Sequence, residues 1–178
     1  RNGSTSCDRT TNGTYASATG QTSASVCAAG TFSERAATGC TDCPAGTRSS
    51  AGASSCDSCP AGSYSAARAS ACTPCEAGKA SDVVAASSCT ECESGRYQPR
   101  NGSTSCEKTA NGTYASATGQ TSASVCVAGT FSERAATGCT ECPAGTRSSA
   151  GASSCDSCPV GSYSAARASA CTPCEAGK

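Results

Sequence analysis

One recurring phrase constrains this chain more than anything else: Cys43-Pro44-Ala45-Gly46, then Cys56-Asp57-Ser58-Cys59. It reads C-x-x-G-x₉-C-x₂-C, and its opening returns at Cys27, Cys59, Cys75 and Cys92, then at Cys126, Cys142, Cys158 and Cys174. A sequence made of copies folds as an array, in which each short unit stacks on the next. Two periods are nested. In the long one, of 99 residues, Arg1 matches Arg100, Tyr15 matches Tyr114 and Lys79 matches Lys178. The copies differ mildly, as at Asp8/Glu107, Arg9/Lys108, Thr11/Ala110, Ala28/Val127, Asp42/Glu141 and Ala61/Val160. In the short period, of 16 or 17 residues, C-x-x-C pairs open at Cys40, Cys56, Cys72 and Cys89, and Cys106 continues the step.

Composition removes the ordinary alternative to such an array. The 178 residues include 18 Cys and 19 Gly, aromatics make up 4%, and there is no Trp, Met, His, Leu or Ile. Too little apolar surface exists to offset chain entropy by burial. Cysteine this dense in a Ser/Thr/Ala/Gly background marks a disulfide scaffold. The expected fold class is therefore small and disulfide-rich. It is an elongated tandem array of irregular short β-hairpin modules, with little regular secondary structure and no long helix, since no stretch shows a 3.6-residue apolar period. Gly30, Gly46, Gly62, Gly78 and Gly95 are expected to supply a positive-φ turn or a close backbone approach. An aromatic two residues on (Tyr15, Phe32, Tyr64, Tyr97, Tyr114, Phe131, Tyr163) is expected to cover the neighbouring disulfide. Arg48 and Ala80 take that place in two modules, which should pack less well. Each module is expected to touch mainly its neighbours.

The glycine phase locates a module that has lost its cysteines. Gly13 corresponds to Gly46, so Thr10 stands where the first cysteine would be and Ala24 where the second would be. The second copy repeats the loss at Thr109 and Ala123. The modules are 1–9 (the end of a truncated one), 10–26 (without a disulfide), 27–42, 43–58, 59–74, 75–91, 92–108, 109–125 (without a disulfide), 126–141, 142–157, 158–173, and 174–178 (the start of another). They form super-repeats 1–99 and 100–178. Paired loss leaves no orphan thiol only if the two lost cysteines were partners. Each bridge then joins the second Cys of one C-x-x-C to the first Cys of the next. The predicted pairs are Cys27–Cys40, Cys43–Cys56, Cys59–Cys72, Cys75–Cys89, Cys92–Cys106, Cys126–Cys139, Cys142–Cys155 and Cys158–Cys171. Cys7 and Cys174 remain, each expected to pair with a truncated module, so the chain reads as a fragment of a longer array. Closing a loop of this size contributes about 3 kcal/mol through the unfolded state.

Two other readings of C-x-x-C compete with structural bridges. Tandem zinc knuckles could draw four thiolates from two pairs, but the absence of His and the loss at Thr10 and Ala24 would leave half-built sites. Redox motifs would need a βαβ frame that nothing here resembles. No metal and no cofactor is expected. Nor is catalysis: there is no His, and the carboxylates are isolated. Glu34–Arg35 and its copy Glu133–Arg134 are expected to be local surface pairs of little worth. Thirteen basic and 13 acidic residues balance to +0 with no basic stripe, so no nucleic-acid partner is expected. No apolar run reaches membrane-spanning length. Asn2, Asn12, Asn101 and Asn111 begin N-glycosylation sequons, and the Ser/Thr content also suits O-glycans. Asn12 and Asn111 lie in the modules without a disulfide, where a glycan is expected to help order the loop.

The segments CPAGTRSSAGASSCDSC and CPAGSYSAARASACTPC resemble the ephrin-receptor-like cysteine-rich module, a relative of the tumour-necrosis-factor-receptor cysteine-rich repeat. The resemblance covers nearly the whole chain. It implies an extracellular, elongated stack with bridges like those derived above. Modules of this family occur in receptor ectodomains and in algal and protist surface proteins, including mastigoneme (flagellar-hair) proteins. The expected function is structural: a glycosylated, disulfide-stapled rod, secreted or on the cell surface, that continues end to end or self-associates into a fibre or surface appendage. The alternative is the stalk or ligand-binding ectodomain of a receptor or surface antigen.

Overall fold

The computed structural model describes residues 8–175. Twenty two-residue strands pair into ten antiparallel hairpins, and no helix occurs among the described residues. Each hairpin is one module. In module 43–58, Thr47–Arg48 pairs with Asp57–Ser58, with Thr47 opposite Ser58 and Arg48 opposite Asp57. The chain reaches the first strand through a tight turn, closed by Thr47 N–H donating to the Pro44 carbonyl at 3.1 Å. The third turn residue, Gly46, has φ 85°, which is costly for any residue with a Cβ and free for glycine. The hairpin closes when Cys59 N–H donates to Gly46 O at 2.9 Å.

The chain forms two compact units: Arg1–Cys75 with Ser81–Cys89, and Glu76–Ala80 with Thr90–Lys178. Within each unit the interior is made of sulfur and small side chains. Cys27, Cys43, Cys59 and Cys75 in the first unit are fully buried, as are Cys92, Cys126 and Cys142 in the second. Their bridge partners, such as Cys40, Cys56 and Cys139, are only half-buried. Ala80, Ala86 and Ala115 complete the buried apolar set. Val26, Val83, Val84, Val125, Val127 and Val160, the only valines, are all exposed. With its largest aliphatics in water, the chain relies on cross-links where a globular domain would use a core.

Among the described residues, eight disulfides join Cys27–Cys40, Cys43–Cys56, Cys59–Cys72, Cys75–Cys89, Cys92–Cys106, Cys126–Cys139, Cys142–Cys155 and Cys158–Cys171. Each closes one hairpin across a Cα–Cα distance such as 5.7 Å at Cys43–Cys56, inside the range a disulfide spans without distortion. Residues 10–26 and 109–125 form the same hairpin without a bridge. Thr14–Tyr15 pairs with Ser25–Val26, and Thr113–Tyr114 pairs with Ser124–Val125, in the same register relative to the glycine.

One expectation is extended and one needs correction. Modules join mainly to their neighbours, and turns also reach one module further: a Cβ on Gly46 would overlap the carbonyl oxygen of Ala85, two modules on. Modules are short enough that a turn reaches past its neighbour. Glu34–Arg35 is not an ion pair among the described residues. Those that form are Arg48–Asp57 (3.8 Å), directly opposed across a hairpin, and Arg68–Asp42 (3.4 Å) and Arg167–Glu141 (3.3 Å), which span modules. All three are exposed and contribute little.

Candidate functional site: the joint between modules

The feature repeated most faithfully is the joint by which one module seats on the next. Between 43–58 and 59–74 it consists of four hydrogen bonds. Gly46 N–H donates to Ser65 O (2.8 Å), Ser49 N–H to Ala69 O (3.2 Å) and Arg68 N–H to Cys43 O (2.9 Å). The fourth comes from the Ser65 hydroxyl, which donates to Thr47 O at 2.8 Å. The joint of 142–157 with 158–173 repeats this set: Gly145 to Ser164, Ser148 to Ala168, Arg167 to Cys142, and the Ser164 hydroxyl to Thr146 O.

Two kinds of residue in this joint carry weight that the sequence reading did not assign. The first is the serine that stands three after the glycine in most modules. Ser33, Ser49, Ser65, Ser132, Ser148 and Ser164 are buried. Each hydroxyl donates to the preceding module's carbonyl at Thr14, Thr31, Thr47, Thr113, Thr130 or Thr146. A donor fixed in this way both satisfies itself and removes an orphan acceptor. Its recurrence at one offset was the available signal.

The second is a left-handed residue six or seven positions after the glycine. Glycine fills it at Gly20, Gly52, Gly102, Gly119 and Gly151, but Ala36, Arg68, Ala85, Ala135 and Arg167 stand there with φ between 60° and 64°. At all of these but Gly20 and Gly102 the N–H donates to the carbonyl of the residue that opens the preceding module, as Ala85 does to Cys59 (2.8 Å) and Gly151 to Cys126 (2.8 Å). The array holds the strained conformation because that bond needs it. Half of these positions lack glycine, which hid the period.

The half-buried aromatics serve the same joint through their backbone. Tyr15, Phe32, Tyr64, Tyr114 and Phe131 form parallel bridges to Ala37, Ala53, Ala86, Ala136 and Ala152 of the next module. Arg48 makes the equivalent bridge to Ala69 and is half-buried as the rings are, so its module is joined no differently.

The remaining candidate residues are scattered. Asn12 and Asn111 are exposed at tight turns whose next residues, Gly13 and Gly112, have φ of 78° and 76°. The sequon hydroxyls of Thr14 and Thr113 donate to Thr11 O and Ala110 O, both at 2.8 Å. Asn101 is also exposed, and its Oδ1 accepts from Ala77 N–H at 2.8 Å. Cys174 is exposed and outside any disulfide. Asn2 and Cys7 lie outside the described residues. No group of three or more His, Cys, Asp or Glu side chains able to hold a metal occurs among the described residues. No helix long and apolar enough to cross a membrane occurs among the described residues.

Residues 30–70 and 129–169 match the family model of tyrosine-protein kinase ephrin type A/B receptor-like repeats. The two segments sit 99 residues apart, at the same place in each copy. No curated protein matches the chain. Ephrin-receptor-like, cysteine-rich tandem repeats held by this density of disulfides fit an extracellular location.

Proposed function

We propose that this chain is part of an extracellular structural protein, a glycosylated, disulfide-stapled repeat array that forms or decorates a fibre or surface appendage and has no catalytic role. The observation that carries this reading is the sameness of the two 99-residue copies at their joints. The four-bond joint recurs with the same partners, while Ala28/Val127, Asp42/Glu141, Asp8/Glu107 and Arg9/Lys108 change only exposed side chains, and change them conservatively. A chain that reads a ligand needs one surface unlike the others. A polymer needs the same surface repeated, and end-to-end continuation with self-association follows from that. Glycans at Asn12 and Asn111 project from exposed turns of the modules that lack a staple, consistent with a role in ordering them. Removing them enzymatically should raise protease sensitivity there, and no change would refute that role.

Electron microscopy of the native material tests the assignment. Filaments or extended particles are expected, whereas discrete globular monomers would overturn it. The second reading, a stalk or ligand-binding ectodomain of a receptor or surface antigen, is favoured by the matches to ephrin-receptor-like repeats. Further 99-residue copies in the flanking coding sequence support the fibre. A membrane span followed by a kinase domain would support the receptor.

A further inference from the structure

Tension along the chain meets a covalent path that is short almost everywhere. From Cys40 to Cys43, Cys56 to Cys59 or Cys139 to Cys142 the backbone runs three residues before the next bridge. The residues inside each closed loop lie off that path and cannot be drawn out while the bridge holds. Cys106 and Cys126 differ. They belong to separate bridges, Cys92–Cys106 and Cys126–Cys139, and all of module 109–125 lies between them.

No disulfide closes that module, and hydrogen bonds tie it to its neighbours. Thr113 faces Val125 and Tyr114 faces Ser124 in its ladder. Gly95 N–H donates to Ala115 O, Gly119 N–H to Cys92 O, and Ala135 N–H to Thr109 O. Two defects weaken the set. Thr109 is wholly buried where other modules put a bridged cysteine, and its Oγ1 has no partner. Ala115, also wholly buried, stands where Ser132, Ser148 and Ser164 donate to the preceding module, so this joint lacks its hydroxyl bond. Module 10–26 carries the same pair of changes, Thr10 with an orphaned Oγ1 and Ala16.

We propose that module 109–125, with its copy 10–26, is the extensible element of the array: it unfolds and lengthens under tension while every disulfide-closed module stays folded. Fully drawn out, Cys106 to Cys126 spans about 70 Å, at roughly 3.3–3.6 Å per residue. Each 99-residue period thereby gains a yield point that reseals when tension falls, without breaking a covalent bond. Use of that yield in a fibre rests on the structural reading above, but the extension itself does not.

The test stretches the oxidised 178-residue chain between handles on its two ends, without reductant. A reversible lengthening from this module is expected, equal to its drawn-out span of about 70 Å less the folded Cys106–Cys126 separation. In the variant T109C/A123C, with the added bridge verified by non-reducing peptide mapping, that event should shorten by roughly 40 Å. The T109S/A123S control, which cannot bridge, should keep it whole. A chain that reaches its covalent limit with no such event, or an event unchanged by the bridge, would overturn the proposal. A second measurement needs no variant. The amides of Ala115 and Cys126 should exchange at least about tenfold faster than their counterparts Ser132 and Cys142 in the stapled neighbour, and equal rates count against it. Globular particles in the microscope would remove the fibre and leave this result standing.

Discussion

The carbonyl oxygen of Ala85 lies against the Cα of Gly46, two modules earlier, in the space where any side chain would begin. The same approach joins Gly13 to Gly52, Gly30 to Arg68, Gly112 to Gly151 and Gly129 to Arg167. Because the Ala85 N–H is bonded to Cys59, a single turn residue ties three consecutive modules. Gly46 therefore answers two demands, a φ of 85° and an absent Cβ.

Gly46→Ala should destabilise the oxidised chain by more than about 3 kcal/mol. A left-handed alanine costs about 1–2 kcal/mol, and its methyl must displace a backbone carbonyl rather than a side chain that can swing away. Gly39→Ala is the control, since its space is open and its φ is not left-handed; it should be nearly neutral. Urea titration followed by circular dichroism compares them, and equal midpoints would refute the packing argument.

Ala85→Gly should move the other way. Ala85 is exposed and holds φ 60°, so glycine relieves about 1–2 kcal/mol of strain against about 0.4–1 kcal/mol of added freedom in the unfolded chain. A gain of up to about 1.5 kcal/mol is expected from the same titration. A loss would mean that the turn is not strained.

The sequence made the period, the hairpin class and the sulfur-based interior legible for one reason: each rests on residues that recur at a fixed offset. The loss of a cysteine at Thr10 together with one at Ala24 marked the loop, rather than C-x-x-C, as the closed unit. What stayed hidden was set by backbone geometry across modules. Nothing in Ala36, Arg68 or Ala85 announces a left-handed residue, because the requirement comes from a carbonyl in the preceding module. The serine ladder was present as a pattern, but a hydroxyl reveals its acceptor only when the modules are stacked. The ion pairs were misplaced for the same reason. Arg35 is adjacent to Glu34 in sequence, whereas Arg68 reaches Asp42 because their modules are brought together.

Ser49→Ala should cost about 1–2 kcal/mol, more than a surface serine would. The Ser49 hydroxyl is fully buried and donates to Thr31 O at 2.9 Å, so its removal strands a buried acceptor. Hydrogen exchange at the Ser49 and Gly52 amides, which also bind neighbouring modules, should accelerate by about tenfold. An unchanged rate would reduce the serine ladder to space-filling.

Thr109→Val should stabilise module 109–125. The side chains are nearly the same shape, and the valine methyl replaces a hydroxyl that is wholly buried without a partner. Burying such a group costs about 1–3 kcal/mol, and removing it recovers most of that because no acceptor is stranded. Thr113→Val is the opposite case: its hydroxyl donates to Ala110 O at 2.8 Å near the surface, so its loss should cost about 0.5–1 kcal/mol. Exchange at Ala135 N–H, which donates to Thr109 O, should slow by about tenfold in the first variant, since 1.4 kcal/mol is a factor of ten, and quicken slightly in the second. If Thr109→Val instead speeds exchange, the hydroxyl has a partner in solution, and the weakness of the unstapled module lies in its missing disulfide alone.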